Sequence, residues 1–346
     1  MRENSYISSF KALLTIIVFL LCLIPLIYYA GNKYAKAGEY NTINYFTEQR
    51  FEDFYALEPN SLDMVFIGSS HSYCSFNPEN FDSELGTLSH QMGTPLQTTD
   101  TSYFELLEIL NYQSPKIVVL EVYWDMLDDG FVMEQAKSFF DVLRNDSLKE
   151  QYMDEVFPLG DKAKYSIPVI RHQAEFFQYN SKQLQKQIEL KYGVTTKAPV
   201  YQQGIEQYVS KGYVYCDFIM EQSEYDITNQ FKGMDGRNWE FDSAKKQYLQ
   251  KIIDTCSQNG IQLVFVTAPV APVSFGYISN YDHIHSQISD FASENDIPYI
   301  DYNIINQQSP FLYNELHFRD DAHLNDAGVK LLNAHLINWL KQQSIF

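Results

Sequence analysis

Two short segments near opposite ends of the chain carry residue types that could do covalent chemistry. Gly68-Ser69-Ser70-His71 follows the apolar, β-rich run Asp63-Met64-Val65-Phe66-Ile67 and supplies a serine on a tight turn leaving a strand. Asp320-Asp321-Ala322-His323 is a D-x-x-H segment that leads into an amphipathic helix. A serine hydroxyl is a poor nucleophile until a base removes its proton, and an imidazole serves best when a carboxylate holds its tautomer. Together the segments offer a nucleophile, a base and an orienter, the set that acyl transfer needs. Gly68 permits the tight turn, and Ser69 or Ser70 then faces the crevice beyond the strand. Each segment also has a plain structural reading, because serine is a frequent helix N-cap and helix starts are rich in Asp and Asn. His317 and Asp321 flank the dyad and compete for its assignment. Only a fold can bring the two ends together.

The elements available to do so read as alternating strands and helices. Apolar β-rich runs at 64–67, 117–122, 261–267 and 299–302, with a weaker one near 88–92, are separated by helical patterns at 103–112, 243–257 and 281–294. A last helix is predicted over about 327–342, with Val329, Leu331, Leu332, Leu336, Ile337 and Leu340 as its apolar face. Such alternation predicts an α/β domain built on a parallel sheet covered by helices. In that architecture a residue just past the carboxyl end of a strand lies where ligands bind. The stretch 130–238 breaks the rhythm and is read as an insertion or cap over that edge of the sheet, with helical character at 133–142 and 171–190. Arg171 and His172 within it, and His71 beside the serines, are the further polar candidates for substrate contact.

Composition narrows the function. The 346 residues carry 44 acidic against 25 basic side chains, a formal net charge of −19. That balance argues against a nucleic-acid partner, which needs a basic surface, and it would repel an anionic membrane surface. The 26 tyrosines and 24 phenylalanines suit either a sugar-handling surface or an aromatic core. Cys22, Cys74, Cys216 and Cys256 fit no zinc spacing and no disulfide framework, and read as free or buried thiols. Residues 12–30 contain no charge and include Pro25, with Tyr28 and Tyr29 at the far end. At about 1.5 Å per residue they nearly span a hydrocarbon core. The expected organisation is a cytoplasmic tail at 1–11, an uncleaved transmembrane anchor at 12–30, a helical stalk at 31–60, and an exported domain from 61 to 346.

Gly68-Ser69-Ser70, then Gly93 within Gln91-Met92-Gly93-Thr94, then Asp320-x-x-His323 resembles the block order of the SGNH/GDSL hydrolase superfamily, over roughly 60–130 and 240–346. The stretch from Ser61 to His71, with Phe76-Asn77-Pro78, is similar to a narrower bacterial group. These are membrane-anchored SGNH-like proteins of cell-surface acylation, such as the D-alanyl-lipoteichoic acid transfer protein and polysaccharide O-acetyltransferases. The resemblance implies a three-layer α/β/α, flavodoxin-like sheet with a helical insertion. It makes Ser70 the nucleophile, because Ser69 stands where the superfamily has the aspartate of Gly-Asp-Ser. It makes His323 the base and Asp320 its orienter, and gives the backbone N–H groups of Ser70 and Gly93 to an oxyanion hole. It implies no metal and no organic cofactor. The implied reaction moves or removes an acetyl or D-alanyl group on a cell-surface polysaccharide or teichoic-acid-like acceptor. A transferase of this kind needs a membrane-bound O-acyltransferase as partner to carry the acyl group across the membrane. The chain departs from the superfamily after the third strand. There Leu120-Glu121-Val122-Tyr123-Trp124-Asp125 replaces Gly-x-Asn-Asp, leaving the third oxyanion donor unassigned. A non-catalytic protein that uses the same fold to bind polymer or partner is the alternative from another class.

Overall fold

The computed structural model describes residues 2–34, 45–128, 130–167, 201–221, 223–224, 229–308 and 312–345, with the single positions 170, 182, 185 and 189. The chain divides into two compact units, 1–42 with 157–198, and 43–156 with 199–346. In the first, a helix runs over Arg2–Tyr34. Its segment Ser9–Tyr29 has a mean hydropathy of 2.7 and is long and apolar enough to cross a membrane, by length and composition. The same unit contains the short helix Leu159–Tyr165. Arg171 and His172 lie outside the described residues.

The second unit is built on five parallel strands: β1 (Met64–Ile67), β2 (Ser89–Gln91), β3 (Ile117–Glu121), β7 (Gln262–Thr267) and β8 (Tyr299–Asp301). Their order across the sheet is β2-β1-β3-β7-β8. The chain steps outward from β1 to β2 and then crosses back to β3, so strand order reverses between β1 and β3. Their carboxyl ends are therefore the place where such a sheet opens a ligand crevice. Met64 pairs with Ile117 and Ile67 with Leu120, so both strands end at nearly the same level.

The strands carry apolar residues on both faces, as a sheet covered on both sides must. Met64, Phe66, Val119, Val264 and Val266 share a core with Phe76, Phe81, Leu332, Leu336 and Leu340. That core is closed by the helices Pro78–Leu85 and Asp326–Gln342. The alternate residues Val65, Val118 and Leu120 point the other way, to the face where helices Thr99–Tyr112 and Ser243–Gln258 pack together. The structure is thus α/β with a parallel central sheet and flanking helices.

Helix Tyr45–Tyr55, which the sequence places within a stalk, belongs to this unit instead. Phe46, Phe51 and Phe54 lie at helical spacing and are buried, with Arg50 between them fully buried. The Arg50 Nε donates to Gly212 O at 2.9 Å, and its guanidinium lies 4.6 Å from the Tyr73 ring centre. An exposed stalk would leave that face in water.

The second unit also holds the two ends of the 130–238 stretch. Helices Met133–Val142 and Asp146–Val156 come first, then a small antiparallel sheet of β4 (Gln202–Gln203), β5 (Glu206–Tyr208) and β6 (Val214–Tyr215). All four cysteines are free, with Cys74, Cys216 and Cys256 buried.

Candidate active site

The turn after β1 is shaped by three small residues. Gly68 has φ +145°, a conformation that L side chains rarely adopt, and a Cβ there would lie 2.6 Å from Glu121 Cβ. Ser69 is the N-cap of a helical turn, Ser70–Tyr73, its Oγ accepting the His71 N–H at 3.2 Å. The Ser69 N–H and Oγ–H in turn donate to Glu121 Oε2 at 3.1 and 2.8 Å. Ser69 is buried and occupied by these bonds, whereas Ser70 is half-buried and begins the turn. Burial pushes the Glu121 carboxyl up to about 8, against the two bonds from Ser69. Glu121 ends β3, so it ties the turn to the neighbouring strand at the crevice.

Steric pressure at Gly68 makes a direct test of this turn. Gly68→Ala combines a forbidden backbone conformation with an overpacked contact to Glu121, each costing about 1–3 kcal/mol. The expected loss in urea unfolding is about 2–5 kcal/mol. An unchanged midpoint would mean the turn is not held as described.

The acid and base arrive on a different loop. Phe318 and Leu324 form an antiparallel bridge, and Arg319 N–H donates to His323 O at 3.0 Å, which closes a tight loop over 319–323. Within it, Asp320 Oδ1 accepts the Ala322 and His323 N–H groups at 2.8 and 2.7 Å. Both Asp320 oxygens lie 3.0 Å from His323 Nδ1. The helix that follows is capped by Asn325, whose Oδ1 accepts Gly328 N–H. His323 Nε2 then lies 2.8 Å from Ser70 Oγ. This is a Ser-His-Asp constellation. Burial opposes ionisation of Asp320, but His323, the Arg319 guanidinium and the backbone donor at Ala322 outweigh it and hold the carboxyl well below the usual carboxylate range.

The remaining candidates take other places. His71 is buried, with its ring centre 3.8 Å from that of Tyr123 and 4.7 Å from that of His323. Burial, and then the neighbouring His323, push its imidazole well below the ordinary value, so it packs as a neutral ring against the base. Gly93 sits against the nucleophile turn: a Cβ there would meet Gly68 O at 2.8 Å and Ser69 O at 3.0 Å. Its N–H donates to Gln91 Oε1 at 2.8 Å, the same oxygen that accepts Ser72 Oγ–H at 3.1 Å. Ser70 N–H is the first of its helical turn and so has no intrahelical acceptor. His317 faces Asn314 N–H through Nδ1 at 3.0 Å, and Asp321 accepts from Gln230 N and Nε2 at 2.8 and 2.9 Å, so both are engaged elsewhere. Cys74 closes the Ser70 turn, and burial pushes its thiol far up, leaving it un-ionised.

Three residues around the triad carried no readable signal. Glu121 looks like the polar end of a strand, Arg319 like a loop charge beside an aspartate, and Glu206 like one of many acidic residues in the insertion. Arg319 Nη2 lies 2.8 Å from Glu206 Oε1, and Arg319 Nε lies 3.7 Å from Asp320 Oδ2. Their importance comes from burial and long-range pairing, which no local pattern records.

No family model matches the chain. Among curated proteins none matches either. Solved structures to which it is similar include a GDSL-like lipase from Bacteroides thetaiotaomicron, at 12% identity over 86% of this chain and 99% of that one, with a TM-score of 0.37. An acetyl xylan esterase is similar at 12% identity over 80% of this chain and 98% of that one, with a TM-score of 0.36.

Proposed function

We propose that the protein is a serine acyltransferase or esterase of SGNH type, working through Ser70, His323 and Asp320. The observation that carries this reading is the 2.8 Å approach of His323 Nε2 to Ser70 Oγ, with both Asp320 oxygens 3.0 Å from Nδ1. Ser70 Oγ attacks an ester carbonyl carbon while its proton passes to His323 Nε2, and the carbonyl oxygen becomes an oxyanion beside the Ser70 N–H. Collapse expels the alcohol, which takes the proton back from His323 and leaves the acyl group on Ser70. A second alcohol, or water, gives its proton to His323, attacks the acyl carbon and restores the free serine. Asp320 stabilises the imidazolium in both halves.

The long apolar helix Ser9–Tyr29 supports a membrane-anchored form with the catalytic unit outside the cytoplasm. On that reading the acceptor is a cell-surface polysaccharide or teichoic-acid-like polymer. The acyl group, acetyl or D-alanyl, is delivered by a membrane-bound O-acyltransferase. The full-length chain incubated with an activated acetyl ester tests the reaction. Acid release that depends on Ser70 supports an esterase. Acyl transfer to added glycan, seen only with the membrane partner present, supports the transferase. Neither product in any combination would sink the catalytic reading. A second reading, a non-catalytic protein binding polymer or partner, draws on one observation: the Gly93 N–H, a candidate oxyanion donor, is held by Gln91 Oε1 at 2.8 Å.

A further inference from the structure

Arg319 touches three segments: the nucleophile turn, the small antiparallel sheet and its own loop. Its side chain is 4% exposed. Through Nη2 it donates to Cys74 Sγ at 2.7 Å, at the end of the turn that begins with Ser70. Through the same nitrogen it pairs with Glu206 Oε1 at 2.8 Å, on the small antiparallel sheet of the insertion. Through Nε it faces Asp320 Oδ2 at 3.7 Å. That oxygen also faces His323 Nδ1. The guanidinium and the imidazolium therefore share one carboxylate, and whatever strengthens one pairing weakens the other.

We propose that Arg319 is a positioning residue for the triad, fixing the Asp320 carboxylate, and that Glu206 from the insertion sets how strongly it does so. The inference rests on the reading of Ser70 as a nucleophile. Glu206 is the carboxylate nearest to Arg319 in the present arrangement, at 2.8 Å against 3.7 Å for Asp320. A polymer or partner that draws the β5 hairpin away would leave Arg319 with Asp320 as its remaining carboxylate, and the base would lose support. The insertion then supplies one of the charges that adjust the catalytic pair.

The charged and titratable groups around His323 are few. Arg319, Asp320 and Asp321 lie on its own loop, and Asp321 is engaged by Gln230. His71, Tyr73 and Cys74 come from the nucleophile turn, Glu206 from β5, Glu121 from the end of β3, and Tyr123 stacks on His71. Arg319 faces both Glu206 and Asp320, so removing Arg319 and removing Glu206 should act in opposite directions on the base.

The test is the pH dependence of Ser70 labelling by a fluorophosphonate on the full-length chain, which reads hydrolases and transferases alike. Glu206→Gln leaves Arg319 uncompensated, so the imidazolium is disfavoured and the acid limb moves to lower pH. Arg319→Gln removes the competing cation, so the limb moves to higher pH, by about 0.5–1 unit in each case. Arg319→Lys keeps the charge without the fork, and is expected to hold the limb near its wild-type position at a reduced plateau rate. If Arg319→Gln fails to fold, the Glu206→Gln shift alone decides. Limbs that stay in place in folded Glu206→Gln, or that move the same way in both variants, overturn the inference. Failure of the wild-type chain to label at Ser70 overturns the underlying reading, and the inference with it.

Discussion

Ser70→Ala is expected to abolish fluorophosphonate labelling and to lower Ser70-dependent ester turnover by about 10⁴–10⁶-fold, with folding unchanged. The fold survives because the structural work of the turn is done next door. Ser69 caps the helical turn and bonds Glu121, while the Ser70 side chain reaches His323. Alanine is also a good helix former at the position it would take. The neighbouring substitution is expected to invert the pattern. Ser69→Ala removes the cap and takes from buried Glu121 the Oγ–H donor while the backbone N–H stays, lowering the unfolding midpoint while keeping Ser70 able to react. Equal losses of labelling in folded Ser69→Ala and Ser70→Ala would mean that the nucleophile has been misassigned between them.

Asp320→Asn is expected to lower kcat by about 10³–10⁴-fold with little change in KM. The asparagine oxygen can still accept the Ala322 and His323 N–H groups, so the loop keeps its shape. Its amide nitrogen, turned toward His323 Nδ1, donates where a carboxylate accepts. The imidazole is then held in the tautomer whose proton sits on Nε2, facing Ser70, and cannot take the serine proton. The imidazolium also loses its counter-charge. Steady-state kinetics separate this from unfolding, since a structural defect would raise KM or lower the amount of folded protein. A variant within tenfold of wild type would remove Asp320 from the mechanism.

Much of the sheet is legible from the chain because its signals are local. The apolar runs at 64–67, 117–122, 261–267 and 299–302 are buried on both sides and appear as strands within a residue of those bounds. Even the weak run near 88–92 forms the edge strand Ser89–Gln91. The helix expected over about 327–342 runs over Asp326–Gln342, with Asn325 as its cap. Helix Tyr45–Tyr55 was harder to place: its spacing shows an apolar face, but nothing in it says what covers that face. The catalytic pair was legible as residue types and spacing, and the approach of His323 to Ser70 depends on the fold. Glu121, Arg319 and Glu206 could not be read at all. Each acts through a partner between 52 and 245 residues away or through burial, so a one-dimensional pattern has no trace of them.

The central claim is that Ser70 carries an acyl group between donor and acceptor. Peptide mass spectrometry of the full-length chain, quenched in acid after brief incubation with an activated acetyl ester, tests it most directly. The expected result is an acetyl group on the peptide containing Ser70, missing in Ser70→Ala. No adduct at Ser70 in the wild-type chain, or an adduct that persists on the same peptide in Ser70→Ala, would contradict the account.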